Sequence, residues 1–283
     1  MRIGIFGAGQ AGAMAARWLP EKQELAGFID NSAEKQGQYL MGVPVYSLKQ
    51  ALELGLDIIW IAVLNCEAAE EIARQIEESG FHGEIIGLQQ FRSNQDIRLA
   101  ALRLIAEELK KRNIPGETAE LGVFQGVFAK EINRLMPEKK LYLFDTFYGF
   151  DDRDIEIEKQ IGNEYAKAGD FSDTGIEAVK AQLLYLEQAV FCPGHFPDSF
   201  INMKEELPGF AFVSLDPDLY EPVYEGLRIF YPLLNPGGML LIHDYNSMQF
   251  PGVKKAVERF CEEQKIYIVP LMDLHGSAVI IKP

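Results

Sequence analysis

The sequence predicts an α/β fold with two domains in series, and three observations predict it. Short apolar runs alternate with helical patterns along the chain, as they do in parallel sheets covered by helices. A glycine-containing turn follows a buried strand twice, at residues 7–12 and at residues 122–126. The chain has 283 residues, which at roughly 150 residues per domain leaves room for two. We therefore place a first domain at residues 1–92 and a second at residues 93–283.

The first domain is predicted to consist of buried or half-buried strands joined by helices. Ser47 is a plausible N-cap for one of these helices, because serine side chains accept hydrogen bonds from the first turn. The predicted strands are residues 2–6, 25–29, 43–46, 58–63 and 84–88, and the predicted helices are residues 13–19, 47–54 and 67–79.

The second domain is predicted to open with a charged amphipathic helix at residues 94–113, stopped by Pro115 and Gly116. Residues 146–175 are acidic and poorly periodic, which predicts a long lid or binding loop. Residues 266–270 and 277–281 read as a closing antiparallel pair of strands. The other predicted strands are residues 118–122, 140–144, 189–192, 210–215 and 239–242, and the other helices are residues 127–136, 176–186, 223–234 and 252–265.

Composition excludes some partners. Lys and Arg total 27 against 42 Asp and Glu, for a formal net charge of −15. Generic nucleic-acid binding and docking on anionic membranes both need cationic surface, so neither partner is expected. The 3 cysteines are widely spaced and odd in number, and no apolar run is long enough to cross a bilayer. We expect a reduced, cytoplasmic protein that acts on small molecules.

The first glycine turn fits the pattern G-x-G-x-x-G with Gly7, Gly9 and Gly12, between a predicted strand and a predicted helix. In that context the glycines allow a tight turn and close approach of a ligand's phosphates. Asp30 ends the next strand, where a carboxylate can bind the hydroxyls of an unphosphorylated ribose. The pattern predicts a Rossmann-like nucleotide-binding domain, for which NAD is one possible ligand. The alternative is a turn retained for packing alone.

Residues 1–90 also resemble the N-terminal domain of sugar-nucleotide acyltransferases, in the stretches GIFGAGQAG, GFIDN and GVPVYS. That resemblance implies a nucleotide-sugar as the ligand. Hydride transfer is not favoured, because the domain offers no acid–base group beyond His82, which lies in a glycine-flanked turn.

The second glycine turn carries Glu120, Gly122 and Gly126. It lacks the Lys-Ser/Thr pair of a phosphate loop, and an acid before the turn suits a ligand with an amino group. Asp145 ends the following strand, where its carboxylate can bind ribose hydroxyls. This combination is typical of class I S-adenosylmethionine-dependent methyltransferases.

Further acids follow later strands of the second domain. Asp216 comes directly after one apolar strand, and His243 and Asp244 come directly after another. Because the carboxyl ends of neighbouring parallel strands share one edge of a sheet, these acids are expected to converge on one cleft. Together they could hold a divalent cation that lowers the pKa of a substrate hydroxyl. The alternative is a set of solvated acids, with His195 and His243 as structural residues.

Residues 95–283 resemble the macrocin O-methyltransferase family over consecutive blocks, among them GETAELGVFQGVFAKEINRLMPEKKLYLFDTFYGFDD, VFCPGHFPDSF and FVSLDPDLYEPVYEGLRIFYPLLNPGGMLLIHDYNSMQF. The resemblance implies a class I methyltransferase sheet with an antiparallel final strand. It also implies methylation of sugar hydroxyls with S-adenosylmethionine and magnesium.

The resemblance further implies roles for individual residues. It assigns cofactor binding to Glu120, Gly122, Gly126, Asp145 and Ser172, catalysis to Asp216 and His243, and a metal to Asp216, His243 and Asp244. At His243 this chain departs from the family, which has a carboxylate there. An imidazole suits Mn, Fe or Zn better than Mg, so the choice between Mg and Mn, and metal binding itself, stay open.

The leading hypothesis is a metal-assisted O-methyltransferase acting on a sugar in a nucleotide-sugar, a polysaccharide or a glycosylated natural product. The alternative is a nucleotide- or NAD-binding protein whose methyltransferase-like domain is not catalytic. In a combined hypothesis the first domain holds the nucleotide end of the substrate. A homo-oligomer is compatible with either hypothesis, because the sequence does not identify an interface.

Overall fold

The computed structural model describes residues 1–20, 22–88, 96–201, 209–273 and 276–283. Within them the chain forms two compact units, one built on Met1–Asp96 and the other on Ile97–Met272 with Gly276–Pro283. The predicted boundary between residues 92 and 93 lies outside the described residues, so its position stays a prediction. Both units are mixed α/β structures, as predicted, and each has its own sheet.

The first unit contains a six-stranded sheet. Its strands are β1 (Arg2–Phe6), β2 (Glu24–Ile29), β3 (Tyr39–Leu40), β4 (Val43–Tyr46), β5 (Ile58–Ile61) and β6 (Glu84–Gly87). The order is β3-β4-β2-β1-β5-β6. Neighbouring strands are parallel except β3 and β4. The central strands β1 and β5 are almost wholly apolar, as expected of parallel strands covered on both faces.

Helices α1 (Gln10–Ala16), α2 (Leu48–Leu52) and α3 (Cys66–Glu78) belong to the first unit. The predicted N-cap at Ser47 is confirmed, because its side chain and that of Gln50 form a capping box. Helix α1 begins three residues before its predicted start. Gly12 therefore lies inside the helix, where an added Cβ would be 2.0 Å from the Gly7 carbonyl oxygen.

The second unit contains a seven-stranded sheet. Its strands are β7 (Glu117–Leu121), β8 (Leu141–Asp145), β9 (Ala189–Pro193), β10 (Phe210–Leu215), β11 (Leu234–Ile242), β12 (Val269–Pro270) and β13 (Ala278–Ile281). The order is β12-β13-β11-β10-β7-β8-β9. Strand β13 runs antiparallel to both β11 and β12, which confirms the predicted closing pair. All six residues of β10 are buried.

The helices of the second unit pack on this sheet. They are α4 (Ile97–Lys111), α5 (Val127–Leu135), α6 (Asp152–Gln160), α7 (Ile176–Gln182), α8 (Asp198–Ile201), α9 (Tyr220–Leu233) and α10 (Pro251–Gln264), with a 3₁₀ turn at Leu186–Gln188. Three hydrophobic residues of α4 are buried, and Lys110 and Lys111 lie in its last turn, where the helix dipole favours cations.

The prediction that residues 146–175 form an unstructured loop was wrong, because the stretch contains α6. Asp151 caps this helix by accepting a hydrogen bond from the Arg153 N–H at 3.0 Å. Ile155 and Glu158 are buried on its inner face, and Glu158 accepts a hydrogen bond from the Tyr220 N–H at 2.7 Å. A carboxylate takes a buried position that a helical pattern normally fills with an apolar residue, so the periodicity was hidden.

None of the helices in the described part of the chain has the length and apolar character needed to cross a membrane.

Candidate functional site

The candidate site lies at the carboxyl end of the second sheet, where β7 lies between β8 and β10. The chain passes from β7 through β8 to β9 and then returns to the opposite side of β7 in β10. Ligands of open α/β sheets bind at such a change of direction. The Asp216 N–H donates to the Leu121 carbonyl at 2.8 Å, so the end of β10 lies directly against the turn after β7.

Gly122 and Gly126 bound this turn, with φ values of 84° and 79°. A Cβ on Gly122 would lie 2.2 Å from the Asp216 carbonyl oxygen, and one on Gly126 would lie 2.9 Å from the Val179 side chain. Left-handed φ values and close approaches of this kind are compatible with glycine alone. Both glycines are therefore required by the close packing of the turn after β7.

Asp145 holds the turn in place. Its Oδ2 accepts hydrogen bonds from the Val123 N–H at 2.6 Å and the Phe124 N–H at 2.9 Å. Its Oδ1 accepts one from the Phe147 N–H at 2.7 Å. An ionised carboxylate can accept about four hydrogen bonds, so the three backbone donors leave little capacity for a ligand. The structure thus adds a structural task to the residue that the sequence predicted only as a ribose ligand.

Glu120, the last but one residue of β7, is 1% exposed. Its Oε2 has no hydrogen-bond partner among the described residues. Burial raises the pKa of Glu120 well above its usual value, although the positive charge of Arg98 acts in the opposite direction. A buried carboxyl oxygen without a donor costs roughly 1–3 kcal/mol, and a cationic ligand group would remove that cost.

Ser172 is exposed and lies in a segment attached to the turn after β7. The Thr174 hydroxyl donates to the Phe124 carbonyl. The rings of Phe124 and Phe171 meet edge to face, with centroids 5.2 Å apart. The segment that carries Ser172 is therefore placed beside the predicted cofactor turn, and the two phenylalanines are neighbours of the site that sequence reasoning missed.

Asp216, His243 and Asp244, the three predicted metal ligands, are brought together at the ends of β10 and β11. His243 Nδ1 lies 2.8 Å from Asp216 Oδ1 and 3.0 Å from Asp244 Oδ2. One donor atom from each residue lies within 4.8 Å of the other two. The cluster therefore has the number and spacing of donors that a cation site needs.

Electrostatics couple the members of this cluster. Burial by itself would lower the pKa of His243, but the nearby Asp216 and Asp244 carboxylates outweigh burial and raise the pKa to about 9. Burial by itself would raise the pKa of Asp216, but Arg98 and His243 hold that pKa below its usual value. At neutral pH the imidazole is therefore protonated and the Asp216 carboxylate ionised.

Arg98, in the first turn of α4, is a member of the site that sequence reasoning missed. Its Nη1 donates to Asp216 Oδ2 at 2.8 Å and its Nη2 to Ser214 Oγ at 3.3 Å. The guanidinium carbon lies 3.9 Å from the centroid of the Phe128 ring. Arg98 and Asp216 are 118 positions apart in the chain, so no local sequence pattern predicts the contact.

The glycine turn of the first unit is also assembled as a close-packed loop. Gly7 has a φ of 113°, and a Cβ there would lie 2.8 Å from the Ala62 carbonyl oxygen. A Cβ on Gly9 would have no atom within 4 Å. Gly7 is therefore required by the turn itself, whereas Gly9 leaves open space beside it.

Asp30 is paired within the first unit. Its carboxylate accepts hydrogen bonds from the Ala8 N–H at 2.9 Å, the Ser32 N–H at 2.9 Å and Lys35 Nζ at 3.0 Å. Burial acts to raise the pKa of Asp30, but these hydrogen bonds outweigh burial and hold the pKa below its usual value. Asp30 thus anchors the turn after β1. The contact with ribose hydroxyls that the sequence predicts for it stays a prediction.

Two family models match the chain, one over each part. Residues 92–282 match the model described as macrocin O-methyltransferase (TylF). Residues 1–86 match the model described as C2185-like, N-terminal.

Curated relatives match the region of the second unit. The mycinamicin III 3''-O-methyltransferase of Micromonospora griseorubida is 28% identical over 183 residues, which cover 60% of this chain and 69% of the relative. The demethyldecarbamoylnovobiocin O-methyltransferase of Streptomyces niveus is 26% identical, over 58% of this chain and 64% of the relative. A tetracenomycin-C 4'-O-methyltransferase of Streptomyces olivaceus is 28% identical, over 52% of this chain and 60% of the relative.

Solved structures agree in fold. The O-methyltransferase NovP superposes with a TM-score of 0.53 at 24% identity, over 65% of this chain and 79% of that one. The calicheamicin methyltransferase CalS11 superposes with a TM-score of 0.53 at 19% identity, over 75% of this chain and 84% of that one. Since the matching family model covers well over half of its residues, this chain belongs to the macrocin O-methyltransferase family and is an S-adenosylmethionine-dependent O-methyltransferase.

Proposed function

We propose that the enzyme methylates a hydroxyl group of a sugar in a nucleotide-sugar, a polysaccharide or a glycosylated natural product. The names of its relatives support a sugar-bearing acceptor. One of them is the 4'-O-methyltransferase of 8-demethyl-8-(2,3-dimethoxy-α-L-rhamnosyl)-tetracenomycin C, which contains a rhamnosyl group.

The proposed donor site is the turn after β7. The unpartnered Oε2 of Glu120 fits the α-ammonium group of the donor, and Gly122 and Gly126 give the turn the close-packed conformation that places its backbone beside Glu120. Asp145 would contribute its remaining lone pair to the ribose, and Ser172 lies in the segment beside the turn. When bound, S-adenosylmethionine supplies a methyl group that is already activated as a sulfonium.

One observation carries the proposed chemistry: the Asp216 carboxylate, ionised and held from both sides, lies against the cofactor turn. Asp216 accepts hydrogen bonds from Arg98 on one oxygen and from His243 on the other. These contacts fix its orientation. We assign Asp216 as the group that orients the acceptor hydroxyl and accepts its proton, and His243 as the group that stabilises the charge of Asp216.

The cluster of Asp216, His243 and Asp244 also fits a divalent cation. His243 Nδ1 lies 2.8 and 3.0 Å from the two carboxylates as a hydrogen-bond donor. It would have to lose its proton to bind the cation together with Asp216 and Asp244. A bound cation would lower the pKa of the acceptor hydroxyl. The imidazole favours Mn²⁺ over Mg²⁺.

For the first unit we propose a Rossmann-like domain that binds a nucleotide or nucleotide-sugar. The turn with Gly7, Gly9 and Gly12, the open space beside Gly9 and the strand-end position of Asp30 support it. We propose residues 1–92 as the extent of this domain and residues 93–283 as that of the methyltransferase domain.

The test of the proposed function is the substitution Asp216→Asn. We expect methyl transfer to a deoxysugar-bearing acceptor to fall roughly 10²–10⁴-fold, because removing a positioned base has effects of this size. Binding of S-adenosylhomocysteine, measured by calorimetry, should change little. We also expect EDTA to lower turnover and Mn²⁺ to restore it.

The matched control is Asp152→Asn, which removes an exposed carboxylate of α6 and should leave turnover unchanged. Unchanged turnover in Asp216→Asn would contradict the role of Asp216. A wild-type protein that binds no S-adenosylhomocysteine would contradict the donor site itself.

A further inference from the structure

Two side chains near the cofactor turn carry buried polar atoms without a partner, and the two atoms are of opposite character. Arg98 Nε is a donor and Glu120 Oε2 an acceptor, and neither has a hydrogen-bond partner within the part of the chain that the structure describes. Unsatisfied buried atoms of charged groups are rare and call for an explanation.

The two residues do not satisfy each other. Each perturbs the ionisation of the other through its charge, so they are near neighbours. No hydrogen bond or ion pair joins them among the described residues, although Arg98 forms such contacts with Asp216 and Ser214. A single ligand that donates to Glu120 Oε2 and accepts from Arg98 Nε would satisfy both atoms.

The orientation of Arg98 is set by its surroundings. Two of its nitrogens donate to Asp216 and Ser214, and the guanidinium plane lies over the Phe128 ring. The planar guanidinium is rigid, so fixing two nitrogens also fixes the direction of the Nε–H. The unpartnered donor is therefore preorganised.

The position of the pair points to its ligand. Glu120 lies two residues before Gly122, and Phe128, beneath Arg98, lies two residues after Gly126. The acceptor and the donor thus flank the glycine turn from its two ends. An α-amino acid has a matching pair of groups, an ammonium and a carboxylate on one carbon atom.

We propose that Arg98 binds the α-carboxylate of the methionine portion of the methyl donor, opposite the α-ammonium group at Glu120. This inference rests on the proposed donor site. Arg98 thereby contacts the donor through Nε and Asp216 through Nη1, and so links donor binding to the residue that orients the acceptor.

The experiment compares S-adenosylhomocysteine with its decarboxylated analogue, which keeps the amine, by calorimetry. Hydrogen bonds to charged groups contribute about 1.5–3 kcal/mol, which corresponds to roughly tenfold to hundredfold in affinity. We expect the wild type to prefer S-adenosylhomocysteine by that factor. In Arg98→Met the preference should fall to about one.

Two further variants make the test specific. Glu120→Gln should weaken both ligands and keep the preference for the carboxylate. Arg103→Met removes an exposed arginine of the same helix and should behave as the wild type. Arg98→Lys, which keeps the charge but lacks the Nε–H, should retain part of the preference if Arg98→Met does not fold.

Equal affinity of the wild type for both ligands would overturn the inference. An equal loss for both ligands in Arg98→Met would also overturn it, because a purely structural arginine acts through the protein and not through the carboxylate. Failure of the wild type to bind either ligand would contradict the proposed donor site, and with it this inference.

Discussion

The glycine turns of the two units are held by the same hydrogen-bond arrangement and are surrounded by different side chains. In the first unit the Ala8 N–H donates to Asp30 at 2.9 Å, and in the second the Val123 N–H donates to Asp145 at 2.6 Å. In both, the donor and the acid are 22 positions apart. Each acid at the end of the second strand therefore holds the turn that follows the first strand.

The second carboxylate oxygen of Asp30 and that of Asp145 also have equivalent partners. It accepts a hydrogen bond from the N–H two residues further on, from Ser32 at 2.9 Å in the first unit and from Phe147 at 2.7 Å in the second. The acids are thus part of the scaffold in both units, whatever ligand they also contact.

The units differ in the side chains around that scaffold. Two residues before its glycine, the first turn has Ile5 and the second has Glu120. The strand beside β1 is followed by Ala62, whereas the strand beside β7 is followed by Asp216. The two units thus share the backbone geometry of the turn and differ in the side chains at the strand ends. Those side chains determine which reaction a unit could support.

The largest effect should come from Gly122→Ala. The new Cβ would collide with the Asp216 carbonyl oxygen at 2.2 Å and would require a left-handed alanine. Because Asp216 must then move, we expect turnover to fall roughly hundredfold or more, as misplacement of a reacting group by about 1 Å can do. The measurement is the initial rate of methyl transfer.

Gly9→Ala in the first unit is the matched control. No atom lies within 4 Å of the added Cβ, so turnover and folding should be unchanged. A similar loss of turnover in both variants would break the distinction between the turns.

An intermediate effect is expected for Asp145→Asn. Asparagine keeps only one acceptor oxygen, so its NH2 group would face either the Val123 and Phe124 N–H groups or the Phe147 N–H group, at a cost of roughly 1–3 kcal/mol. We expect the affinity for S-adenosylhomocysteine, measured by calorimetry, to fall about tenfold.

Asp30→Asn makes the same change in the first unit. It should leave the affinity for S-adenosylhomocysteine unaltered and weaken nucleotide binding by that unit. A loss of S-adenosylhomocysteine affinity in this variant would show that the two turns are not independent.

The smallest effect concerns the pH dependence of stability in the second unit. His195 Nε2 lies 3.0 Å from Asp154 Oδ1, and this hydrogen bond raises the pKa of His195 above its usual value. The contact therefore stabilises the fold fully below the unfolded histidine pKa of about 6.5, and the stabilisation is lost as the pH rises through the raised pKa. His195→Gln should lower the thermal midpoint by roughly 2–4 °C at pH 6 and by less at pH 9.

His82→Gln is the control, because this exposed histidine of the first unit has no carboxylate partner among the described residues. A midpoint difference for His195→Gln that does not change with pH would contradict the linkage.

Much of the candidate site could be predicted because its signals are local. Gly122, Asp145 and Asp216 each end or directly follow a strand, Asp244 lies two residues after β11, and strand ends of a parallel sheet share one edge. The identity of these residues therefore implied their proximity before any contact was known. The resemblance to the family implied that Ser172 binds the cofactor, and the structure places its segment beside the turn after β7.

Arg98 and Glu158 show what the sequence concealed. Both are charged residues on helices, where solvent exposure is the ordinary expectation. Arg98 lies against Asp216 with 13% of its side chain exposed, and Glu158 is buried against the first N–H of α9. Each contacts a partner that is remote in the chain, so composition and periodicity carried no sign of it.

By itself, the sequence determined the α/β class, the two glycine turns and the order of the acids at the strand ends. These follow from hydrophobic periodicity and from backbone conformations that are open to glycine alone. Only the tertiary structure decided which charges meet: Asp145 with the backbone of its turn, and Asp216 with Arg98 and His243. Such pairings depend on how separate elements pack, because a buried charge is stable only where a partner from elsewhere in the chain meets it.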